Sequence, residues 1–138
     1  MWRMIWPLLL IILSNVLYNL CTKSIPSNAD PFGTLIITYI AGAVIVFALF
    51  YLHTGSPNFG AHFNAASLVL GFAIVGLEAG YVYLYRAGWR ISVGSLTANI
   101  CLAVALLVIG WAVYHEDISL RQLLGAGVCL LGLYLMNS

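Results

Sequence analysis

Five long stretches of this 138-residue chain are almost free of charged side chains, with only Glu78 and Arg121 carrying a formal charge inside them. Crossing the hydrocarbon of a bilayer takes about 20 helical residues, and each stretch comes close to that length. The stretches are residues 4–21, 32–52, 65–85, 91–113 and 120–136. The sequence therefore predicts an all-α polytopic membrane protein, a single transmembrane domain of five helices over residues 1–138.

Composition excludes the main soluble classes. Hydrophobic residues make up 63% of the chain and charged residues 7%, whereas a soluble domain carries roughly 25% charged residues. A net charge of +1 provides no basic patch for nucleic acid. Cys21, Cys101 and Cys129 fit no metal or disulfide spacing, and no enzyme motif is present. We therefore expect no enzymatic activity, no metal, no cofactor and no nucleic-acid partner.

The breaks between the stretches carry helix-start signals. Asp30 followed by Pro31 is typical of an N-cap and a first helical residue. Ser119 with Gln122 three residues later predicts a capping box. The first stretch follows a short basic start, but no small-residue cleavage site comes after it. We expect it to be a retained first span.

The distribution of basic residues gives only a weak orientation signal. Five spans place the two termini on opposite sides of the membrane. One side would carry Arg3 and Arg121, and the other Lys23, Arg86 and Arg90. Orientation follows an excess of Lys and Arg in the short cytoplasmic loops. Insertion in both orientations therefore remains open, beside a single orientation with Lys23, Arg86 and Arg90 in the cytoplasm.

Glu78 is the one acid inside the five stretches. A charged carboxylate at such depth costs several kcal/mol unless it faces a wet cavity or a partner. Tyr81 and Tyr85 follow at i+3 and i+7 on the same helical face. A carboxylate flanked by tyrosine rings is suited to holding a cation and exchanging it for a proton. Alternatively, Glu78 stays protonated or pairs with Arg86 or Arg90.

Polar side chains also recur at helical spacing in three other stretches. Facing lipid, such groups would remain without partners, so we expect them to face the bundle interior. They either line a central cavity with Glu78 or hydrogen-bond between helices. The residues predicted to line the site are Asn15, Tyr18, Asn19, Thr38, Ser95 and Asn99.

Two pairs of glycines predict close packing of helices. Gly76 and Gly80 form a GxxxG pattern around the glutamate, a spacing that lets helix backbones approach. Gly125 and Gly132 lie one heptad apart in the last stretch. We predict that these residues pack against another helix or against a second copy of the chain.

The last third of the chain, GSLTANICLAVALLVIGWAVYHEDISLRQLLGAGVCLLGLYLMN, resembles the drug/metabolite transporter superfamily. The similarity lies in a helix that runs to an acidic residue and a short turn, here Glu116 to Ser119. A final helix with Gly125 and Gly132 follows. The segment RAGWRISVGSLTANI resembles the family's link between its third and fourth helices. In layout the chain is similar to one five-helix repeat of the EamA type.

The resemblance implies alternating access between two inverted repeats, with the substrate near the midplane. Because five is odd, an antiparallel homodimer of single repeats would reproduce that arrangement. Small multidrug resistance proteins are similar in forming such dimers, but they have four helices and an essential glutamate in the first. This chain has Asn15 and Asn19 there and no acid. We therefore do not transfer their glutamate to Glu78.

The main hypothesis is a transporter in the cell membrane, the bacterial inner membrane, that exchanges small cationic or amphipathic solutes, such as drugs for efflux, for protons at Glu78. Its partners would be the solute, protons, membrane lipids and a second copy of the chain. A flippase for a lipid-linked sugar is an alternative, with Lys23, Arg86 and Arg90 gathered near phosphate. A non-transporting membrane subunit, whose polar faces serve only for helix docking, is the third.

Overall fold

The computed structural model describes the backbone of residues 2–137 and the side chains of residues 5–136. Within that part of the chain every regular element is helical, which confirms the all-α prediction. The helical bounds agree with the apolar stretches to within two residues. In chain order the elements are α1 Trp2–Lys23, α2 Pro31–Thr54, a 3₁₀ turn Phe59–His62, α3 Ala65–Arg86, α4 Ile91–Tyr114 and α5 Leu120–Asn137.

The start of α2 follows from its local sequence. The Asp30 side chain accepts a hydrogen bond of 2.7 Å from the backbone N–H of Gly33, and Pro31 takes the first helical position. The Thr34 hydroxyl donates back to the Asp30 carbonyl at 3.0 Å. The first N–H groups of a helix have no acceptor within the helix and need one from outside. Proline at the first helical position has no N–H group, so it leaves no donor unsatisfied there. The predicted cap is confirmed.

The start of α5 has the predicted capping box. The backbone N–H of Ser119 donates to the Gln122 side-chain oxygen at 2.8 Å, and the backbone N–H of Gln122 donates to the Ser119 hydroxyl at 3.3 Å. This reciprocal pair satisfies two donors that would otherwise lack acceptors. It fixes the point at which the chain turns from the 115–119 link into α5.

The end of α4 is a feature that the sequence did not reveal. His115 takes a left-handed conformation with φ 52°, and the Glu116 N–H donates to the Gly110 carbonyl at 3.0 Å. The Glu116 side chain then folds over Gly110, where a Cβ would lie 2.6 Å from the carboxyl oxygen. Gly110 is buried because this turn closes on it.

Four helices are long and apolar enough to cross a membrane. They are α1, over Ile5–Lys23, and the whole of α2, α3 and α4. The apolar part of α5, Leu120–Met136, is shorter. That α5 is a fifth span stays a prediction. Within the four spans only 6–11% of the residues are buried by the chain itself, so lipid or another polypeptide must cover the apolar faces.

The contacts divide the chain into two compact units. One contains residues 21–87, in which α2 packs against α3. Its buried apolar side chains are Leu35, Val82 and Tyr85. The other contains residues 1–20 and 88–138, in which α4 packs against α5 and α1 shares a cavity with α4. That the whole chain forms one transmembrane domain stays a prediction.

We predict that Asp30→Ala lowers the free energy of unfolding by about 1 kcal/mol, because the Gly33 N–H loses its acceptor. Asp30→Asn should retain most of the stability, since asparagine caps helices equally well. Denaturant titration of the purified protein in detergent measures the change. Asp117→Ala, which removes an acid from the link before α5, is the control. Equal stability of Asp30→Ala and Asp117→Ala would contradict the capping role.

Candidate functional site

Glu78 lies half-buried on α3, eight residues before the last residue of that helix. At 1.5 Å per residue, this places the carboxyl about 12 Å from the helix end. α3 is one of the helices long and apolar enough to cross a membrane. A carboxyl at that depth is stable only where a polar neighbour, water or a bound ligand compensates for the missing solvent.

The polar neighbour of Glu78 in the structure is Tyr39 of α2. The Tyr39 hydroxyl interacts electrostatically with the Glu78 carboxyl across the α2–α3 contact. The hydroxyl is shielded from solvent and makes no direct hydrogen bond that satisfies normal geometry. Leaving a shielded hydroxyl unsatisfied is costly, so the interaction of Tyr39 with the Glu78 carboxyl is favourable. Tyr39 was not among the predicted site residues.

Of the two tyrosines predicted to flank Glu78, Tyr85 contacts a different cation. The rings of Tyr81 and Tyr85 lie 6.0 Å apart between centroids. The Lys23 ammonium lies over the Tyr85 ring, 5.6 Å from its centroid, and donates to the Tyr85 carbonyl at 3.3 Å. One face of the buried Tyr85 ring therefore holds a cation of the chain itself. That Tyr81 and Tyr85 contact a substrate stays a prediction.

The polar faces of α1 and α4 line one groove within their unit. The groove has a volume of about 460 Å³, and apolar side chains such as Ile12 and Leu96 alternate with the polar groups. Four of the predicted site residues lie along it, together with Ser92: Asn15, Asn19, Ser95 and Asn99. A groove of mixed apolar and hydrogen-bonding groups is typical of a small-molecule site.

The amide groups in this groove are bonded to their own helices. The Asn19 amide donates to the Asn15 carbonyl at 2.8 Å and to the Asn15 side-chain oxygen. The Asn99 amide donates to the Ser95 carbonyl at 2.8 Å and to the Ser95 hydroxyl at 3.3 Å. Each polar pair is thus stabilised within one helix, and none of these bonds ties α1 to α4.

Two further predicted residues lie outside this groove. Thr38 is exposed on α2 and donates to the Thr34 carbonyl at 3.0 Å. Tyr18 of α1 is half-buried. Neither lines the groove between α1 and α4. Their part in a site stays a prediction.

The four glycines predicted to pack closely have open space beside them in the structure. A Cβ built on Gly76, Gly80, Gly125 or Gly132 meets no atom of the described residues within 4 Å. The close approach that these residues permit is therefore unused among the described residues of their own unit. Packing against a second copy stays a prediction for all four.

Metal-ligating and thiol groups are dispersed. Cys21, Cys101 and Cys129 are free cysteines. Over the described residues, no three His, Cys, Asp or Glu side chains come together in a group that would hold a metal ion. The chemistry of the structure is therefore concentrated at Glu78, the α1–α4 groove and the basic end of α3.

Nearly the whole sequence is similar to one known protein family. The model of the EamA-like transporter family matches residues 2–138. The chain belongs to the EamA-like transporter family. No curated protein and no solved structure matches it.

Membership confirms the resemblance seen in the last third of the sequence and extends it to nearly the whole chain. This member of the EamA-like family is a multi-pass membrane protein, and its match is the size of a single repeat. Families of this kind act in transport and are typically not enzymes. Their members contact membrane lipids and small-molecule solutes, which gives the groove and the half-buried Glu78 a functional context.

We predict that the α1–α4 groove contains water in the membrane, because its polar lining draws water into an apolar surrounding. In a variant lacking the three native cysteines, Ser95→Cys should react with a cationic methanethiosulfonate at least about tenfold faster than Ile45→Cys, since the reactive thiolate forms only where water reaches. Ile45 is exposed on α2 and serves as a lipid-facing control. Equal rates at the two positions would exclude a hydrated groove.

Proposed function

We propose that this chain is a secondary active transporter that exchanges small cationic or amphipathic solutes for protons by alternating access. The observation that carries the proposal is Glu78, the sole acid of the five apolar stretches, half-buried on α3 beside Tyr39. An acid in this position destabilises the protein, so its presence indicates a functional role. Ionisable residues inside membrane spans commonly mark ion pathways and proton relays in transporters.

The chemistry requires only one ionisable group that changes charge. The ionised carboxylate binds the cationic part of the solute, and protonation removes the charge and releases it. Because the two occupants compete for one carboxyl, entry of a proton on one side drives departure of the solute on the same side. The Tyr39 hydroxyl can donate a hydrogen bond to the carboxylate and so stabilises the form that binds the cation.

The α1–α4 groove, considered by itself, is a second surface suited to a solute. Its lining combines apolar side chains with Asn15, Asn19, Ser95 and Asn99 and contains no charged group. Such a surface accepts an apolar body with a few hydrogen-bonding groups and tolerates variation in its shape. This supports solutes of the amphipathic drug type.

The functional unit in this proposal is an antiparallel homodimer. Transporters of this architecture place the substrate between two inverted repeats, and this chain matches one repeat. The largely unburied spans and the open glycines of α3 and α5 supply surfaces on which a second copy can pack. The near balance of basic residues on the two sides allows insertion in both directions.

Replacing the acid tests the coupling. In liposomes with an imposed pH gradient, the wild type should accumulate the lipophilic cation ethidium, and Glu78→Gln should reduce this to the level of empty liposomes, because the amide carries no exchangeable charge. Glu116→Gln is the matched control, since Glu116 lies in the link after α4 and outside the spans. Proton-driven uptake that persists in Glu78→Gln would remove Glu78 from the mechanism.

Mapping the orientation tests the dimer. Ser56→Cys, in the loop after α2, should react only in part with an impermeant maleimide on intact cells and fully after lysis if both orientations are present. Adding Ser27→Lys and Asn28→Lys shifts the basic residues to one side and should yield a single population. A single population in the parent Ser56→Cys protein would contradict an antiparallel dimer.

A further inference from the structure

A small polar cavity lies at the end of α3, away from Glu78. It has a volume of about 200 Å³ and is lined by residues of α1, the following loop and the last turns of α3. Lys23 and Arg86 supply two positive charges, and Thr22 and Ser27 supply two hydroxyls. No acidic side chain lines it. We refer to it as the basic cavity.

Arg86 is held in place by the loop between α1 and α2. One terminal nitrogen of its guanidinium donates to the Pro26 carbonyl at 3.3 Å and to the Ala29 carbonyl. Its Nε is shielded and makes no hydrogen bond. Because carbonyl oxygens carry no full charge, these contacts orient the guanidinium but leave its positive charge uncompensated.

Lys23 is oriented by Tyr85. Its ammonium group donates to the Tyr85 carbonyl and lies over the Tyr85 ring, while Tyr85 itself is buried and lines the cavity. These contacts hold the ammonium group of the exposed Lys23 side chain beside Tyr85, at the lining of the cavity. The nearest acid along the loop, Asp30, caps α2 through the Gly33 N–H.

Cations in the last turn of a helix also complement the helix dipole, and Lys23 and Arg86 both occupy such positions. That role accounts for their presence on each helix separately. It does not account for their convergence, with two hydroxyls, on one cavity that excludes acids. Two cations and hydroxyl donors around a small volume are the arrangement that recognises a phosphate-type oxyanion.

We propose that the basic cavity binds a phosphate-type oxyanion, with Lys23 and Arg86 as the charged contacts and Thr22 as a hydroxyl donor. Both cations end apolar helices of spanning length, so the cavity lies at the level of the lipid headgroups. The phosphate of an anionic lipid therefore reaches it without leaving the bilayer. The inference is independent of proton exchange at Glu78.

The test uses the full chain purified in a neutral detergent. Native mass spectrometry measures the binding of dihexanoyl phosphatidic acid, dihexanoylglycerol and inorganic phosphate. The phosphatidic acid should bind and the phosphate-free diacylglycerol should not. Competition by inorganic phosphate alone would identify a soluble oxyanion as the ligand, whereas its failure to compete would identify a lipid headgroup. Either outcome supports the cavity as an oxyanion site.

Variants assign the binding to the cavity. Lys23→Gln should weaken the binding of phosphatidic acid about tenfold, since a charge-assisted contact is lost. Thr22→Val should weaken the binding less. At position 86, Arg86→Lys is the variant to use if a neutral side chain there disturbs the loop, because lysine keeps the positive charge. Arg121→Gln, at the start of α5, is the matched control. Equal loss in Lys23→Gln and Arg121→Gln, or equal binding of the diacylglycerol, would overturn the proposal.

Glu78→Gln separates this inference from the transport proposal. The variant should bind phosphatidic acid as the wild type does, because Glu78 does not line the basic cavity. Loss of proton-driven uptake with intact lipid binding is expected for Glu78→Gln, and the reverse pattern is not. The two proposals therefore fail by different measurements.

Discussion

The exclusion of water from the hydrocarbon is the constraint on which the rest of this structure depends. In that medium every backbone N–H and C=O group must find its partner within the chain, and a helix satisfies this requirement residue by residue. The long helices follow from this constraint, as do the caps at their starts, Asp30 for α2 and Ser119 for α5. The same constraint makes a carboxyl at Glu78 costly, and for that reason its position within α3 supports a role in transport.

The polar side chains of the spans respond to the same constraint. Thr34 and Thr38 on α2, Asn19 on α1 and Asn99 on α4 all donate to a carbonyl one turn earlier in their own helix. These local bonds supply each of the polar groups with a partner in its own part of the chain. They are also weak enough, at about 1 kcal/mol each, to be exchanged for bonds to a ligand.

The sequence predicts what depends on near neighbours in the chain. Helix bounds and the caps at Asp30 and Ser119 come from apolar runs and from pairs three residues apart, and the structure has them where expected. The left-handed turn at His115 and the closure of Glu116 over Gly110 were not predicted, because no glycine or asparagine marks the turn.

Contacts between helices were harder to predict because they depend on the register of packing. Tyr39 on α2 and Glu78 on α3 are separated by most of two helices and a loop, so their proximity has no local signal. The same holds for Lys23 over the ring of Tyr85. Conversely, Gly76 and Gly80 carry a clear packing pattern, but no described residue of their own unit packs closely on them, because the pattern does not specify the partner helix.

The central claim is that Glu78 takes up and releases a proton inside the membrane, and infrared difference spectroscopy of the protein in lipid tests it most directly. As the pH is raised over the range in which the protein stays folded, the wild type should lose a protonated-carboxyl band and gain a carboxylate band. Glu78→Gln should lack this change, and Glu116→Gln should retain it. A Glu78 carboxyl band that stays constant over the whole pH range would contradict the account.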